Sequence, residues 1–300
     1  MIVKKIKVAS LNRLNDFVVK KIIGTSGQEE ALEGFINAVL AEHGDEPIKD
    51  PVILNDVTLT PENINDKLGI LDILAKSADG KHLVNIEIQL ENSDDIITRS
   101  AFYHSRVKTG GESLQAGKSY GTMPKVLAIN LLNYNDKRFY PDQYHTRIIN
   151  VDANHRDLVF DFSENHFIEL PKFRKLADKD LDNALHRWLL YLDSKTDPKL
   201  KEEIIAMDSS IRVAEAAAQK IAATPEELEL YRLREKYERD RISSEIYLRE
   251  QGMEEGEHLL AEALNLLLAN TPPEEIKSTL NLSDEKLVQY QATFNRLFNN

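Results

Sequence analysis

The chain contains no cysteine. That excludes disulfides, a thiol nucleophile and any thiolate-ligated metal. No apolar run reaches the roughly 18 residues that a membrane helix needs. The N-terminal MIVKKIKVASLNRLND lacks the apolar core and small-residue cleavage pattern of a signal peptide, so a cytoplasmic protein is expected. The eight histidines include no H-x-x-x-H or H-x-H pair, which gives a zinc site little support. No GxxxxGK[ST] phosphate loop and no G-x-S-x-G elbow is present. The single tryptophan, Trp188, lies with Leu185, Leu189 and Leu192 on a helical apolar stripe and reads as core.

Basic residues are in deficit. There are 38 Lys and Arg against 50 Asp and Glu, for a net charge of −12. The deficit is unevenly spread. Residues 1–150 carry 18 basic and 20 acidic side chains, residues 151–300 carry 20 and 30, and residues 99–147 hold 8 basic against 3 acidic. Phosphate contacts are local, so a basic strip inside an acidic protein is compatible with nucleic acid. A solvated helix face explains the same strip equally well.

What is present is a change of period along the chain. Helical spacing over 12–23 and 28–43 predicts two helices, the second followed by Gly44. Strands are expected at 51–57, 68–76, 82–90 and 125–133, with a helix over 96–109 and short strands at 146–151, 157–162 and 166–170. From about 175 the pattern is helical. It includes a charged run over 225–250, an apolar stretch over 258–268 and a last helix over 283–298. Strands followed by a run of helices indicate an α+β fold. The expected division is 1–172 for the mixed part and 173–300 for a helical region, in which the charged run is suited to exposure or to homodimer formation. A helix-turn-helix outline over 274–293 carries acidic segments that suit phosphate poorly.

The most informative stretch is LGILDILAKSADGKHLVNIEIQLE, residues 68–91. Val84, Ile86, Ile88 and Leu90 share one face of a strand, and Asn85, Glu87 and Gln89 share the other. Asp72 breaks an otherwise apolar strand. Asp79-Gly80 is expected to form a two-residue turn with positive φ at both positions. Paired residue numbers would then sum to 159, which sets Asp72 opposite Glu87 with Cβ atoms about 4.5–5.5 Å apart. Gln89 follows about 7 Å along the same face. Two carboxylates that close repel by roughly 3 kcal/mol at an effective dielectric near 20. A bound divalent cation, a shared proton or a basic neighbour would offset that. Lys76 is about 13 Å away along the strand, and a hard cation such as Mg²⁺ suits the oxygen donors better. The plainer alternative is a solvated pair, and one extra loop residue would put the two acids on opposite faces.

An acid on one strand followed by acid-x-polar on the next resembles the PD-(D/E)XK nuclease core. The segments NDFVVKKIIG (15–24), LEGFINAVL (32–40), DKLGILDILAKSADGKHLVNIEIQ (66–89), RSAFYHSRV (99–107) and PKVLAINLLNY (124–134) resemble, in order, the PD-(D/E)XK nuclease family transposases, also called recombination-promoting nucleases. The resemblance covers roughly the first 170 residues, and the later GMEEGEH is similar to their Gly-x-Glu-rich tails. It implies a restriction-endonuclease-like core of mixed sheet flanked by helices, followed by an all-helical C-terminal region. It also implies Mg²⁺-dependent cleavage of DNA that aids recombination or element mobility. Asp72 and Glu87 would be metal ligands, and Gln89 would stand where the wider superfamily has Lys. Asp16 would be an additional acid, and Arg99 and Tyr103 would lie near the cleft. Spacing of i, i+4 and i+7 puts Arg106 on one helix face with them, and with Lys108, Lys118 and Lys125 in the basic strip these residues are the expected DNA contacts. The missing Lys leaves open a nuclease fold that only grips DNA or serves as a scaffold.

Overall fold

Capping decides where the helices begin. The side chain of Asn15 accepts a hydrogen bond from the amide of Phe17, so the first helix, α1, spans Asp16–Ile23 rather than starting at residue 12. Helix α2 spans Glu29–Ala41 and buries Leu32, Phe35, Ile36 and Val39. Gly44, at φ +71°, lets the chain turn away after it. In the computed structural model the described residues are 11–54, 73–90, 95–109 and 119–298. Asp72, Lys118 and the expected strand positions 55–57 and 68–71 lie outside them.

Among the described residues, six strands form one mixed sheet: β1 (Val52–Ile53), β2 (Ile73–Lys76), β3 (His82–Gln89), β4 (Lys125–Leu132), β5 (His145–Val151) and β6 (Val159–Glu169), in the order β1-β2-β3-β4-β6-β5. The β3–β4 and β4–β6 pairs are parallel and the others antiparallel. Helix α3 (Ile96–Thr109) lies in the crossover from β3 to β4. The short strands expected at 157–162 and 166–170 are one strand. Its polar middle, Ser163 to His166, is held in ladders by β5 on one side and β4 on the other.

The β2–β3 hairpin has the expected register but a different turn. Ile73 pairs with Ile86, Leu74 with Asn85, Ala75 with Val84 and Lys76 with Leu83, so every pair sums to 159. Only Gly80 has positive φ, at +72°. The amide of Gly80 donates to the carbonyl of Ser77 (2.9 Å), and the amide of Ser77 donates to that of His82 (3.0 Å). The Asp79 carboxylate accepts from Ser77 Oγ (2.6 Å) and the Lys81 amide (3.0 Å). The loop is therefore longer by one residue on each strand than the two-residue turn, which leaves the sum unchanged. These contacts hold the Asp79 carboxyl down to about 2, with Ser77 the main cause.

The parity of each strand separates two layers. Ile73, Ala75, Val84, Ile86, Leu127, Ile129, Leu131 and Ile168 face a core shared with α1 and α2. Leu83, Val126, Leu132 and Phe167 face the other way, into two small clusters with Val107 and Ile96 of α3. After β6 come α4 (Leu170–Arg174), α5 (Ala184–Leu192), α6 (Pro198–Met207), α7 (Ser209–Ala223), α8 (Pro225–Leu268), α9 (Pro273–Thr279) and α10 (Asp284–Phe298). Asn183, Asp197 and Asp208 cap α5, α6 and α7 through their side chains, each cap contributing about 0.5–2 kcal/mol. Helices α5 to α7 belong to the larger core. Trp188 meets Phe35 edge to face at 5.5 Å, and Arg13 reaches Glu215 of α7 at 2.8 Å in a buried ion pair.

Met1–Arg234 is one compact unit and Glu235–Asn300 a second. The second has its own small core of Ala263, Ile276, Leu282, Leu287 and Tyr290. The charged run and the apolar stretch expected as separate pieces are both part of α8. No helix among the described residues is long and apolar enough to cross a membrane.

At Gly34, α2 comes close to Ser210 of α7. A Cβ there would lie 2.1 Å from Ser210 Oγ and 2.3 Å from Ser210 Cβ. In an open helix, Gly→Ala gains about 1 kcal/mol. Here overpacking, worth about 1–3 kcal/mol, reverses the sign. Gly34→Ala should lower Tm by several degrees in a thermal melt, and adding Ser210→Gly should recover part of the loss. A Gly34→Ala protein more stable than its parent would contradict this packing.

Candidate active site

Alternation in β3 puts Asn85, Glu87 and Gln89 on the α3 side of the sheet, as expected. All three are buried, Glu87 at 4% and Gln89 at 8% relative exposure. In the parallel ladder Glu87 stands beside Asn130 and Gln89 beside Leu132. This face therefore has a buried polar floor. Asn130 Nδ2 donates to Ser100 Oγ and to the His166 carbonyl, both at 3.2 Å, and Ser100 Oγ donates to Asn165 Oδ1 at 3.2 Å. Asn85 Nδ2 donates to Glu87 Oε1 at 3.4 Å. Among the described residues Asn85 Oδ1 is buried with no hydrogen-bond partner, a costly state for an amide oxygen unless another group completes it. His104, on the next turn of α3 from Ser100, is held below the ordinary histidine range chiefly by burial, with Lys108 adding to the effect.

Helix α3 contributes the charge. Arg99 Nε lies 3.8 Å from Glu87 Oε2, with the arginine side chain 43% exposed and the carboxylate 5%. The guanidinium also sits over the Tyr103 ring, 5.3 Å from its centroid. Arg99 thus spans the rim, with one side toward the buried carboxylate and the other toward solvent. Tyr103 is buried with Ser100 and Val107, whereas Arg99 and Arg106 are exposed. The three sequence-spaced residues therefore do not form a single exposed stripe. Arg106 is seven residues, about 10 Å, along the helix from Arg99. Lys108 places its ammonium 4.2 Å from the centroid of the Phe162 ring. Lys125 is drawn inward to Asp161 (2.6 Å) and Glu164 (2.7 Å), so its charge is compensated within the fold. Asp16 lies on α1, in the layer on the opposite face of the sheet, and is paired with Arg234 of α8.

Ser100, Asn130 and Asn165 were not singled out in the sequence. Asn130 carried a usable signal, because it is the one polar residue inside VLAINLL (126–132), just as Asp72 interrupts its own strand. Ser100 and Asn165 carried none, since polar residues on a helix and in a half-exposed strand are ordinary.

Residues 13–246 match the family model described as PD-(D/E)XK nuclease family transposase. The chain belongs to this family. No curated protein and no solved structure matches it. Membership gives the chain a nuclease-like role, and the match extends past β6 through α5, α6 and α7 into α8.

Glu87→Gln keeps the contact with Asn85 and removes a buried charge. Stability measured by urea denaturation should be unchanged or higher by about 1 kcal/mol, the pattern expected when a carboxylate is retained for chemistry rather than for folding. A loss greater than about 1 kcal/mol would instead make the Arg99 contact a structural ion pair.

Proposed function

We propose that the protein is a metal-dependent DNA endonuclease whose breaks promote recombination or element mobility, with Asp72 and Glu87 as the metal-binding carboxylates. The observation that carries this reading is Glu87: a nearly inaccessible carboxylate on a family-matched strand, with Asn85 and Gln89 beside it and an arginine at its rim. The residues present fit a hard divalent cation. Glu87 offers a carboxylate, Gln89 an amide oxygen, and Asn85 Oδ1 is buried without a hydrogen-bond partner among the described residues; such all-oxygen donors suit Mg²⁺. The register of the described hairpin is the one on which the expectation for Asp72 was built.

When bound, the cation supplies a more acidic water and offsets charge on the scissile phosphate. The remaining work falls to the chain. Gln89 is neutral and cannot take up a proton; its amide orients the attacking water or a phosphate oxygen. Arg99, braced on Tyr103, can turn its fork to a phosphate on the solvent side. Arg106 and Lys108, further along α3, extend the backbone contacts. Asp16, engaged by Arg234, would assist only if that pair opened.

One observation favours a second reading. Arg99 already brings a fixed positive charge to Glu87 at 3.8 Å, and Gln89 supplies no charge of its own. A nuclease fold that holds DNA without cutting it is consistent with both.

The test is nicking of supercoiled plasmid by purified protein in Mg²⁺. Chelation should abolish it, and Glu87→Gln and Asp72→Asn should each lower the rate by at least about 100-fold with circular dichroism unchanged. Equal nicking by parent and variants would remove the assignment, and salt-sensitive binding with no cleavage would establish the second reading. In a separate binding titration, Arg99→Ala should weaken affinity for all sequences alike and reduce the salt slope by about 1. An unchanged slope would show that Arg99 meets no phosphate.

A further inference from the structure

Three imidazoles from distant parts of the chain converge on the face of the sheet opposite α3. His43 follows α2, His145 begins β5 and His166 lies within β6. One ring nitrogen of each lies within 4.8 Å of the others. His145 Nε2 and His166 Nδ1 are 2.8 Å apart, and the His43 ring centroid is 4.7 Å from that of His145 and 5.7 Å from that of His166. His145 is 4% exposed and His166 fully buried, while His43 is exposed and gives a path from solvent.

The outward nitrogens face carboxylates. His166 Nε2 lies 2.9 Å from Glu164 Oε1, and His145 Nδ1 lies 3.9 Å from Glu42 Oε2. A neutral imidazole carries one N–H. If each buried ring turns that proton toward its carboxylate, two lone pairs confront each other at the inward atoms and call for a cation between them. If His145 instead donates inward to His166, its Nδ1 lone pair faces an anion, and that atom is buried without a hydrogen bond among the described residues. Both carboxylates are themselves held in place. Arg147 and Lys125 engage Glu164, and Tyr144 and Asn183 engage Glu42. A carboxylate on the far nitrogen of each ring is the arrangement that orients histidine ligands toward a metal.

We infer that His43, His145 and His166 bind one divalent transition-metal ion of the zinc class, with Glu164 and Glu42 fixing the two buried rings. Three neutral nitrogen donors select zinc, nickel or copper over magnesium or calcium. Tetrahedral geometry with bonds of about 2.0–2.1 Å sets ligand nitrogens about 3.3 Å apart, so the buried pair opens by roughly half an ångström on binding. The fourth position falls to water on the exposed side, beside His43. The ion would tie the end of α2 to β5 and β6, on the opposite face of the sheet from Glu87.

The experiment uses tag-free full-length protein, stripped with chelator and titrated calorimetrically with Zn²⁺, with Co²⁺ as a spectroscopic probe. With Mg²⁺ in excess to fill the oxygen-donor site proposed at Glu87, one Zn²⁺ should bind per chain and raise Tm, and Co²⁺ should give visible d–d bands without a sulfur charge-transfer band. His43→Ala, at an exposed position, should keep the metal-free Tm and weaken Zn²⁺ binding at least about tenfold. Glu164→Gln should weaken it as well, and Glu87→Gln should leave it unchanged. Absence of saturable Zn²⁺ binding, undiminished binding by His43→Ala, or loss of binding in Glu87→Gln would each overturn the inference.

Discussion

The parallel ladder β3–β4–β6 is the constraint on which the rest of the structure depends. Over Leu83–Glu87, Val126–Leu132 and Glu164–Glu169 its strands are covered on both faces, so most side chains there are removed from water to one side or the other. Because side chains alternate with a period of two, a slip of one residue in any strand would exchange the faces. The register sets Glu87 beside Asn130 on the α3 side. On β6 it sends Ser163, Asn165 and Phe167 to that same side, and Glu164, His166 and Ile168 to the other. The buried carboxylate site and the histidine cluster are thus consequences of one hydrogen-bonded alignment, read out on opposite faces.

The polar groups in this ladder are mostly neutralised in place. Glu164 is fully buried, yet Lys125, Arg147 and His166 surround it, which keeps its carboxyl far below the usual range despite burial. Burial acts the other way on His166, holding it near 4 and therefore neutral at physiological pH. Glu87 differs from Glu164 in having its cation at 3.8 Å and half in solvent. That contrast separates a carboxylate ringed by close cations from one whose cation lies at the solvent rim. The same contrast limits the basic strip. Among the described residues between 99 and 147, Lys125, Arg138 and Arg147 form ion pairs within the fold, and the side chains of Arg99 and Arg106 reach the surface of α3.

Much of this was legible in the sequence where the information is local. The alternation VNIEIQ assigned the faces of β3, the Asp-Gly turn fixed the pairing sum, and the period over 96–109 matched α3 from end to end. Exactness failed where side chains compete for backbone groups. The Asp79 carboxylate reshaped the turn, and the Asn15 cap moved the start of α1. Lys125 looked free in a one-dimensional charge count, because Asp161 and Glu164 lie nearly forty residues away in sequence.

By itself the sequence determined most of the elements, the two faces of β3 and the family, since these follow from periodicity, turn chemistry and short ordered motifs. Only the tertiary structure decided which charges are drawn into ion pairs within the fold and which histidines meet. His43, His145 and His166 have no motif spacing and lie on three different elements. Their convergence depends on the packing of α2 against the sheet and on the pairing of β5 with β6. Such meetings are set by long-range burial and strand order, and no local pattern encodes them.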